Sequence, residues 1–458
     1  MIGQEKWDLE RCILYTIDNS IDIKQSDIAV RDAEVITKMN QQQQLPSVTA
    51  STSAFTNFGR TIDPTTNDFV TSTFLSNNLD LNFNWTLYNG GRIKNTIKQG
   101  EVNEKVMEAE KESRIASVSL QVIQAYFEAL LAGDNYSNAE IQLKTITDQI
   151  DQMKKMVEVG SRAQFEIYDL EAQQATSEQQ LTLAQNRIDL AMLNLKGIMN
   201  APPDMEMELA EPPIDQRVYT DLDTESFDVI YERVMKVRPE VESLDYGIKS
   251  GELQITLAKS TGLPRIGVGG SIGSRYSNQA KTASGFQDQI INSEVLIDGN
   301  PSILGVEQTV PTSINNTPYW TQFDNNFSYG FGVSVSMPIL DNYNTKGNIE
   351  RAKINLEDLQ YRKEKFIIDT RNLLGQYVTD AKAAKRNLEA ADKVLSARQV
   401  SFDNAQKRFE LGAINSFDYI SIQDQLNTAR IDQLIAKYDY MMKIKVLDFY
   451  QGFPVSLK

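Results

Sequence analysis

Two hydrophobic periods follow one another along this chain in a fixed order. Leu79, Leu81, Phe83, Trp85 and Leu87 alternate with Asp80, Asn82, Asn84 and Thr86, a period of two that gives a strand one apolar and one polar face. The alternation returns as Phe327, Tyr329, Phe331, Val333, Val335, Met337 and Ile339 against Ser328, Gly330, Gly332, Ser334, Ser336 and Pro338. Weaker versions precede each: Val48, Ala50 and Ala54 among Thr49, Ser51 and Ser53, then Ile266, Val268 and Ile272 among Gly267, Gly269, Ser271 and Gly273. Four strands are predicted, near 47–58, 70–88, 265–276 and 327–340. After the second and fourth the period turns helical. Ala139, Leu143, Ile146, Ile150, Met153 and Val157 are spaced 4, 3, 4, 3 and 4, with Ala391, Leu395, Phe402, Ala405 and Phe409 in the matching register. Heptads of this kind predict one helix laid along another. Beyond Gly160 an opposing seam runs through Ile167, Leu170, Leu181, Ala184, Ile188, Ala191 and Leu195. A helix from Ile93 to Val159, broken at most locally near Gly133, spans roughly 100 Å at about 1.5 Å per residue.

The order recurs because the sequence does. Val157-Glu158-Val159-Gly160 with Phe165-Glu166 returns as Phe409-Glu410-Leu411-Gly412 with Phe417-Asp418, an offset of 252 that also carries Trp85 onto Met337 and Pro202 onto Pro454. Upstream the offset is 218, matching Leu45-Pro46 with Leu263-Pro264 and Ile23 with Val241. The difference of 34 residues is an insertion between Pro264 and Met337. The expected organisation is a first repeat over 1–201, with a helix, a strand hairpin at 47–88 and a helical hairpin at 92–199 whose tip lies near 160. A linker at 202–225 follows, marked by Pro202-Pro203 and Pro212-Pro213. The second repeat, 226–458, has a helix, a strand hairpin at 265–340 with a long loop at 276–326, and a helical hairpin at 345–451 with its tip near 412.

Composition removes several classes of function. The chain of 458 residues has 46 Lys+Arg against 62 Asp+Glu, a net charge of −16, which disfavours a nucleic-acid partner. It has no histidine, so Ser-His-Asp and Cys-His nucleophiles and imidazole metal ligands are out. The single cysteine, Cys12, reads as a small buried apolar residue. No catalytic constellation, cofactor motif or metal-ligand cluster emerges. Gly267, Gly269, Gly270 and Gly273 lack dinucleotide-loop spacing and read as small residues facing a lumen, and Asn84-Trp85-Thr86 is a chance glycosylation pattern inside a strand. The most apolar run, Val118 to Leu131, is interrupted by Gln121, Gln124 and Glu128, so no membrane-spanning helix is expected. The residues from Met1 to Trp7 do not resemble a secretory signal, which fits a cytosolic protein or a mature form.

Strands of this alternation suit a transmembrane barrel with one face on lipid and one on a wet lumen, or a soluble sheet packed on helices. Four strands are too few to close, since single-chain barrels begin at about eight. An open sheet with an apolar face would aggregate, so strands shared between chains are the favoured solution. In layout, glycine turns and Leu-Pro strand starts, the chain resembles the TolC-like outer-membrane efflux proteins from Trp7 to Pro454. The resemblance implies an α+β membrane protein: a homotrimer with a 12-stranded transmembrane β-barrel, four strands per chain, continued by a long periplasmic α-helical barrel. It further implies an exit duct in the outer membrane, docked to an inner-membrane transporter through a periplasmic adaptor. A non-conducting coiled-coil scaffold is the alternative. The cargo stays open among drugs, metal ions and proteins.

Site residues follow from the same comparison. Leu81, Phe83, Trp85, Phe331, Val333 and Val335 are expected on the lipid face. Val159, Gly160 and Ser161, with Leu411, Gly412 and Ala413, are the expected adaptor-docking tips. The family places carboxylates six and nine residues beyond the second tip glycine, as rings that constrict the tunnel. Asp418 matches the first and Ser421 stands at the second, while Glu166 holds the equivalent place in the first copy. The basic residue expected two places after that glycine is replaced by Ile414.

Overall fold

A computed structural model of the protein describes residues 6–62, 67–71, 73–210, 225–297 and 300–453. Pro212, Pro213, Pro454 and most of the 202–225 linker lie outside the described residues. In chain order the elements are α1 (Leu9–Asn19), α2 (Ile21–Gln42), β1 (Ser47–Asn57), β2 (Thr61–Ile62), β3 (Phe69–Val70), β4 (Phe74–Asn89), α3 (Arg92–Glu158) and α4 (Phe165–Ile198). Then come α5 (Phe227–Val237), α6 (Pro239–Ser260), β5 (Arg265–Ser277), β6 (Lys281–Ile297), β7 (Asn300–Asn316), α7 (Tyr319–Asn325), β8 (Ser328–Ser336), α8 (Asn344–Glu410) and α9 (Ser416–Tyr450). The bounds of α5 and α6 lie 218 residues after those of α1 and α2, and those of α8 lie 252 after those of α3. Two compact units result, one from Met1–Ile36, Gln99–Glu252 and Lys353–Lys458, the other from Thr37–Lys98 and Leu253–Ala352.

In the first unit α3 is unbroken over 67 residues. Gly133 does not interrupt it; a Cβ there would sit 3.7 Å from Ile188 of α4, an ordinary contact. Part of α3 is apolar enough to cross a membrane, contrary to the expectation that no helix is, yet that stretch is mostly buried. Its Val122, Ile123, Tyr126 and Phe127 form a core with Leu9 and Cys12 of α1, Leu195 of α4 and Met199 just after it, and Tyr438 of α9. Burial pushes the Cys12 thiol up to about 12, with Asp8 adding to the effect, so it packs as a hydrophobe. A second core joins Ile230 and Val234 of α5 to Leu374, Val378 and Ala381 of α8; the 218 offset takes Cys12 to Ile230, and the 252 offset takes Val122 to Leu374. Ion pairs recur in the same way: Lys111 Nζ lies 2.8 Å from Asp27 Oδ1 and Lys363 Nζ 2.5 Å from Asp245 Oδ1. The start of the described chain is fixed by Trp7, which bridges to Leu209 in parallel, donating to Glu208 O at 2.8 Å and accepting from Ala210 N at 2.9 Å.

The second unit carries a four-stranded antiparallel sheet in the order β1-β4-β5-β8. Its register aligns Ala50, Leu81, Ile272 and Tyr329 in one row and Val48, Phe83, Gly270 and Phe331 in another, all on one face. The opposite face aligns Thr49, Asn82, Ser271 and Gly330, then Ser51, Asp80, Gly273 and Ser328. A bulge between Thr86 and Tyr88 precedes the turn into α3. Gly90 (φ 67°) and Gly91 (φ 77°) make that turn, and a Cβ on Gly90 would lie 2.7 Å from Leu263 Cβ. At the matching corner before α8, Asn342 and Tyr343 take the same left-handed conformation (φ 50° and 69°), which a tyrosine adopts only under strain.

Between β5 and β8 the structure departs from the sequence expectation of a loop. β6 and β7 pair along their length as a ribbon. Gly285, Pro301, Gly305 and Pro311 mask its alternation with turn signals; a proline is tolerated because each strand of a two-stranded ribbon has one unpaired edge. Helix α7 pins the ribbon's base: Gln322, 2% exposed, accepts from Ser277 N at 2.9 Å and donates to the carbonyls of Ser277 and Thr317, both at 2.9 Å. β8 also ends four residues earlier than predicted, at Ser336, where Pro338 can no longer donate to a ladder.

Tyr126 gives a direct test of the first core. Its hydroxyl lies 2.7 Å from Ala210 O and 3.1 Å from Trp7 O. Tyr126→Phe should cost about 1–2 kcal/mol, the penalty of a buried acceptor losing its donor. A lowered thermal midpoint with faster proteolysis before α1 is expected; an unchanged midpoint would show that the hydroxyl is dispensable.

Candidate functional site

The two helical tips are built by the same backbone device. Gly160 N donates to Val157 O and Ser161 N to Met156 O, both at 2.9 Å; Gly412 N donates to Phe409 O at 2.9 Å and Ala413 N to Arg408 O at 2.7 Å. This is the Schellman closure of a helix C-terminus, and the glycine sits where the left-handed conformation is required. Both glycines have φ 74°, and space alone would admit a side chain at Gly160, where a Cβ meets nothing within 4 Å. After the second tip, Asn415 caps α9 by accepting from Asp418 N at 2.8 Å.

Arg162 fastens one tip to the other. Its guanidinium donates to Phe409 O at 2.7 Å, to Ile414 O at 3.3 Å and to Glu166 Oε2 at 3.3 Å. It also lies 4.9 Å above the Phe409 ring. The arginine therefore places a cation beside the last turn of α8, the negative end of that helix, and on the Ile414 carbonyl just beyond it. Beneath it Tyr419 stacks on Phe409 with ring centroids 4.5 Å apart and accepts from Gln149 Nε2 at 2.8 Å; burial holds its hydroxyl up to about 12. Ile146, Ile150, Met153 and Leu170 of the first hairpin and Ala405 of the second complete the apolar layer. Ser416 Oγ reaches Asp169 Oδ2 at 3.1 Å.

The sequence-predicted residues separate here. Glu166 is buried and paired with Arg162, so its carboxylate is not presented to solvent. Asp418 and Ser421 are exposed. Ser421 lines a groove of about 540 Å³ with Val394, Arg398, Phe417 and Asp424; burial pushes the Asp424 carboxyl up, while Gln173 Nε2 donates to it at 3.1 Å. Val159 and Leu411 are 79% and 84% exposed, and Phe165 and Phe417 are 66% and 76% exposed, an apolar pair on each tip. The basic residue that the resemblance places two positions after Gly412 stands instead two positions after Gly160, as Arg162. In the sheet, Leu81, Phe83, Trp85, Phe331, Val333 and Val335 share one face by register. Gly270 does not join the other glycines on the polar face; it lies between Phe83 and Phe331 on the apolar face. Among the described residues, no cluster of three or more His, Cys, Asp or Glu could hold a metal ion.

Residues 15–201 and 230–448 match the family described as outer membrane efflux protein. The alkaline protease secretion protein AprF of Pseudomonas aeruginosa is 20% identical over 342 residues, 74% of this chain and 62% of that protein. The outer membrane protein TolC of Vibrio cholerae is 20% identical over 331 residues, 71% of this chain and 65% of that protein. The chain thus spans a little under two thirds of the length of these relatives. Among solved structures, CusC superposes with a TM-score of 0.76 at 14% identity, over 97% of this chain and 92% of that one. The open-state MtrE channel of Neisseria gonorrhoeae gives 0.73 at 15% identity, over 98% and 90%. VceC of Vibrio cholerae gives 0.71 at 12% identity, over 98% and 97%. At these identities the likeness is one of fold.

Arg162→Met should destabilise the paired tips by about 3 kcal/mol, because it strands the buried Glu166 carboxylate and bares the end of α8. Adding Glu166→Gln should recover part of the loss, since a neutral amide tolerates burial better. Proteolysis within 155–170 reads this out; two changes that act additively would mean that the pair is not coupled.

Proposed function

The chain belongs to the outer membrane efflux protein family, and on that premise we propose that it is the outer-membrane exit duct of a tripartite efflux or type I secretion system. Its chief support is the sheet: four strands with one apolar face, one polar face and two edges, in the same chain as two 67-residue helices. Four strands cannot close a barrel, while three copies supply twelve. The apolar rows then face lipid, and the Ser, Thr, Asn and Gly rows line a lumen. Helices of about 100 Å, at about 1.5 Å per residue, carry that lumen across the periplasm. Each copy of the sequence unit carries a tip, and the exposed Val159, Phe165, Leu411 and Phe417 beside Gly160, Ser161, Gly412 and Ala413 offer an apolar docking surface to a periplasmic adaptor, which couples the duct to an inner-membrane transporter. The name of AprF ties that relative to protease secretion, which makes a polypeptide one cargo to be tried.

Asp418 is the gate residue in this scheme. Three exposed carboxylates from three copies repel one another near the axis, and a multivalent cation relieves that repulsion. Glu166, neutralised by Arg162, takes no part in the ring, and Ser421 leaves the second ring uncharged.

In planar bilayers the purified protein should form cation-selective channels of small conductance, blocked by divalent cations from the periplasmic side. Asp418→Asn should weaken the block, and Glu166→Gln should leave it nearly intact. Unchanged selectivity and block in Asp418→Asn would remove Asp418 from the gate, and absence of any conductance would favour a scaffold. In the sheet, Val335→Arg should cost about 2–4 kcal/mol near the bilayer midplane, whereas Ser334→Arg on the other face should be tolerated. Heat resistance of the extracted oligomer reports both; equal effects would mean that neither face meets lipid.

A further inference from the structure

The interface between copies is already written inside one chain. The second strand of the first sequence unit, β4, pairs with the first strand of the second unit, β5, in a register where the two residue numbers total 353 from Ser76↔Ser277 to Thr86↔Gly267. The offsets of 252 and 218 carry β4 onto β8 and β1 onto β5. β8 and β1 are the two edges of the sheet. We propose that β8 of one copy pairs antiparallel with β1 of the next in the register that the internal β4–β5 ladder dictates: Val335 opposite Thr52, Ser334 opposite Ser53, Val333 opposite Ala54, and Gly332 opposite Phe55. The proposal rests on the exit-duct reading in supposing that copies meet edge to edge; the register itself comes from the repeat.

Two independent features agree with it. The first is face. Val335 and Val333 lie in rows with Ile266 and with Val268 and Trp85, and Thr52 and Ala54 pair with Leu79 and Asn77 on the face that holds Val48 and Ala50. The proposed register keeps apolar face on apolar face; a slip of one residue would invert it. The second is size. Inside the chain, Asp80 stands opposite Gly273, where a Cβ would lie 2.6 Å from the Asp80 carboxylate. At the corresponding place between copies the sizes are exchanged: the large Phe55 comes from β1 and the glycine, Gly332, from β8. A Cβ on Gly332 or Gly330 meets nothing within 4 Å, so an aromatic ring from the next copy has room over the edge glycines. Phe55, 55% exposed, is an aromatic in a row otherwise made of Ser47, Thr49, Ser51 and Ser53. The ladder stops short of the corner. Asn342 carries the Cβ that Gly90 lacks, and at Gly90 that atom would lie 2.7 Å from Leu263 Cβ, so the corner between copies seats less closely than the one within the chain.

Disulfide trapping in the full-length protein tests the register. Cys12 is buried with its thiol held up to about 12, so introduced cysteines react against a silent background. Thr52→Cys with Val335→Cys, and separately Ser53→Cys with Ser334→Cys, should give ladders of covalently linked copies on a non-reducing gel. Neighbouring pairs are used because hydrogen-bonded and open pairs alternate along an antiparallel ladder. Pairs displaced by two residues, Thr52→Cys with Val333→Cys or Met337→Cys, should link several-fold less, since diagonal neighbours lie about 7–8 Å apart and disulfides need Cα atoms within about 7 Å. Linkage within one chain is excluded: β1 and β8 are three strand spacings apart, about 14 Å. A second measurement uses size: Phe55→Gly should lower the heat resistance of the oligomer and Gly332→Phe added to it should restore it. Efficient linkage at a displaced pair, or no linkage and no rescue in an oligomer that light scattering shows intact, overturns the register while the duct reading stands. A wild-type protein that scatters as a monomer overturns the reading beneath it.

Discussion

Unpaired backbone along two strand edges is the constraint from which the rest of this architecture follows. The sheet presents an apolar face of Leu, Phe, Val and Trp and ends at β1 and β8. In water such an edge recruits other strands; in hydrocarbon each unsatisfied N–H or C=O is worth several kcal/mol. No further strand is needed if another copy of the chain brings its complementary edge, and a chain made of two like units carries one edge of each kind. The bounds of α3 and α8, separated by 252 residues at both ends, then have a physical reason: strands that alternate around a closed barrel must hand over to helices of one length if those helices are to form a second closed layer.

At the tips the two sequence units cease to be equivalent. Both tips use the same glycine closure, yet only the first carries an arginine two residues on, and it is spent on the carbonyls of the second tip. Position 414, the match of Arg162 in the other copy, is the isoleucine whose carbonyl the arginine holds. Arg162 thus joins Gln149–Tyr419 and Ser416–Asp169 in tying the hairpins of one chain together at their ends, over a stacked Phe409 and Tyr419. Any separation of the tips must break the hydrogen bonds of Arg162 to the Phe409 and Ile414 carbonyls. Asp418, by contrast, is exposed in the first turn of α9.

Much of this was legible in the residue pattern. A period of two over 79–87 and of seven over 139–157 depends on nothing outside the segment, and the offsets of 252 and 218 are arithmetic on the sequence. What escaped depends on partners distant in the chain. Gly270 looked like its glycine neighbours until the register set it between Phe83 and Phe331. The β6–β7 ribbon was hidden because its prolines and glycines are the usual signals of a turn, and a two-stranded ribbon tolerates what a central strand would not. The apolar stretch of α3 is richer than its interrupting Gln121, Gln124 and Glu128 suggest, and its packing against α1, α4 and α9 makes it core. Arg162 stands beside the glycine of the other copy, and its acceptors across the tips are backbone carbonyls, which leave no trace in a sequence.

The central claim, that the open sheet is completed by other copies of this chain, can be examined directly by electron cryo-microscopy of the full-length protein purified in detergent. A three-fold assembly is expected, with twelve strands closed into one barrel inside the detergent belt and the β8 edge of each copy bonded to β1 of the next. A particle whose four-stranded sheet is covered by something other than a second copy, or whose strands lie outside the belt, would contradict it.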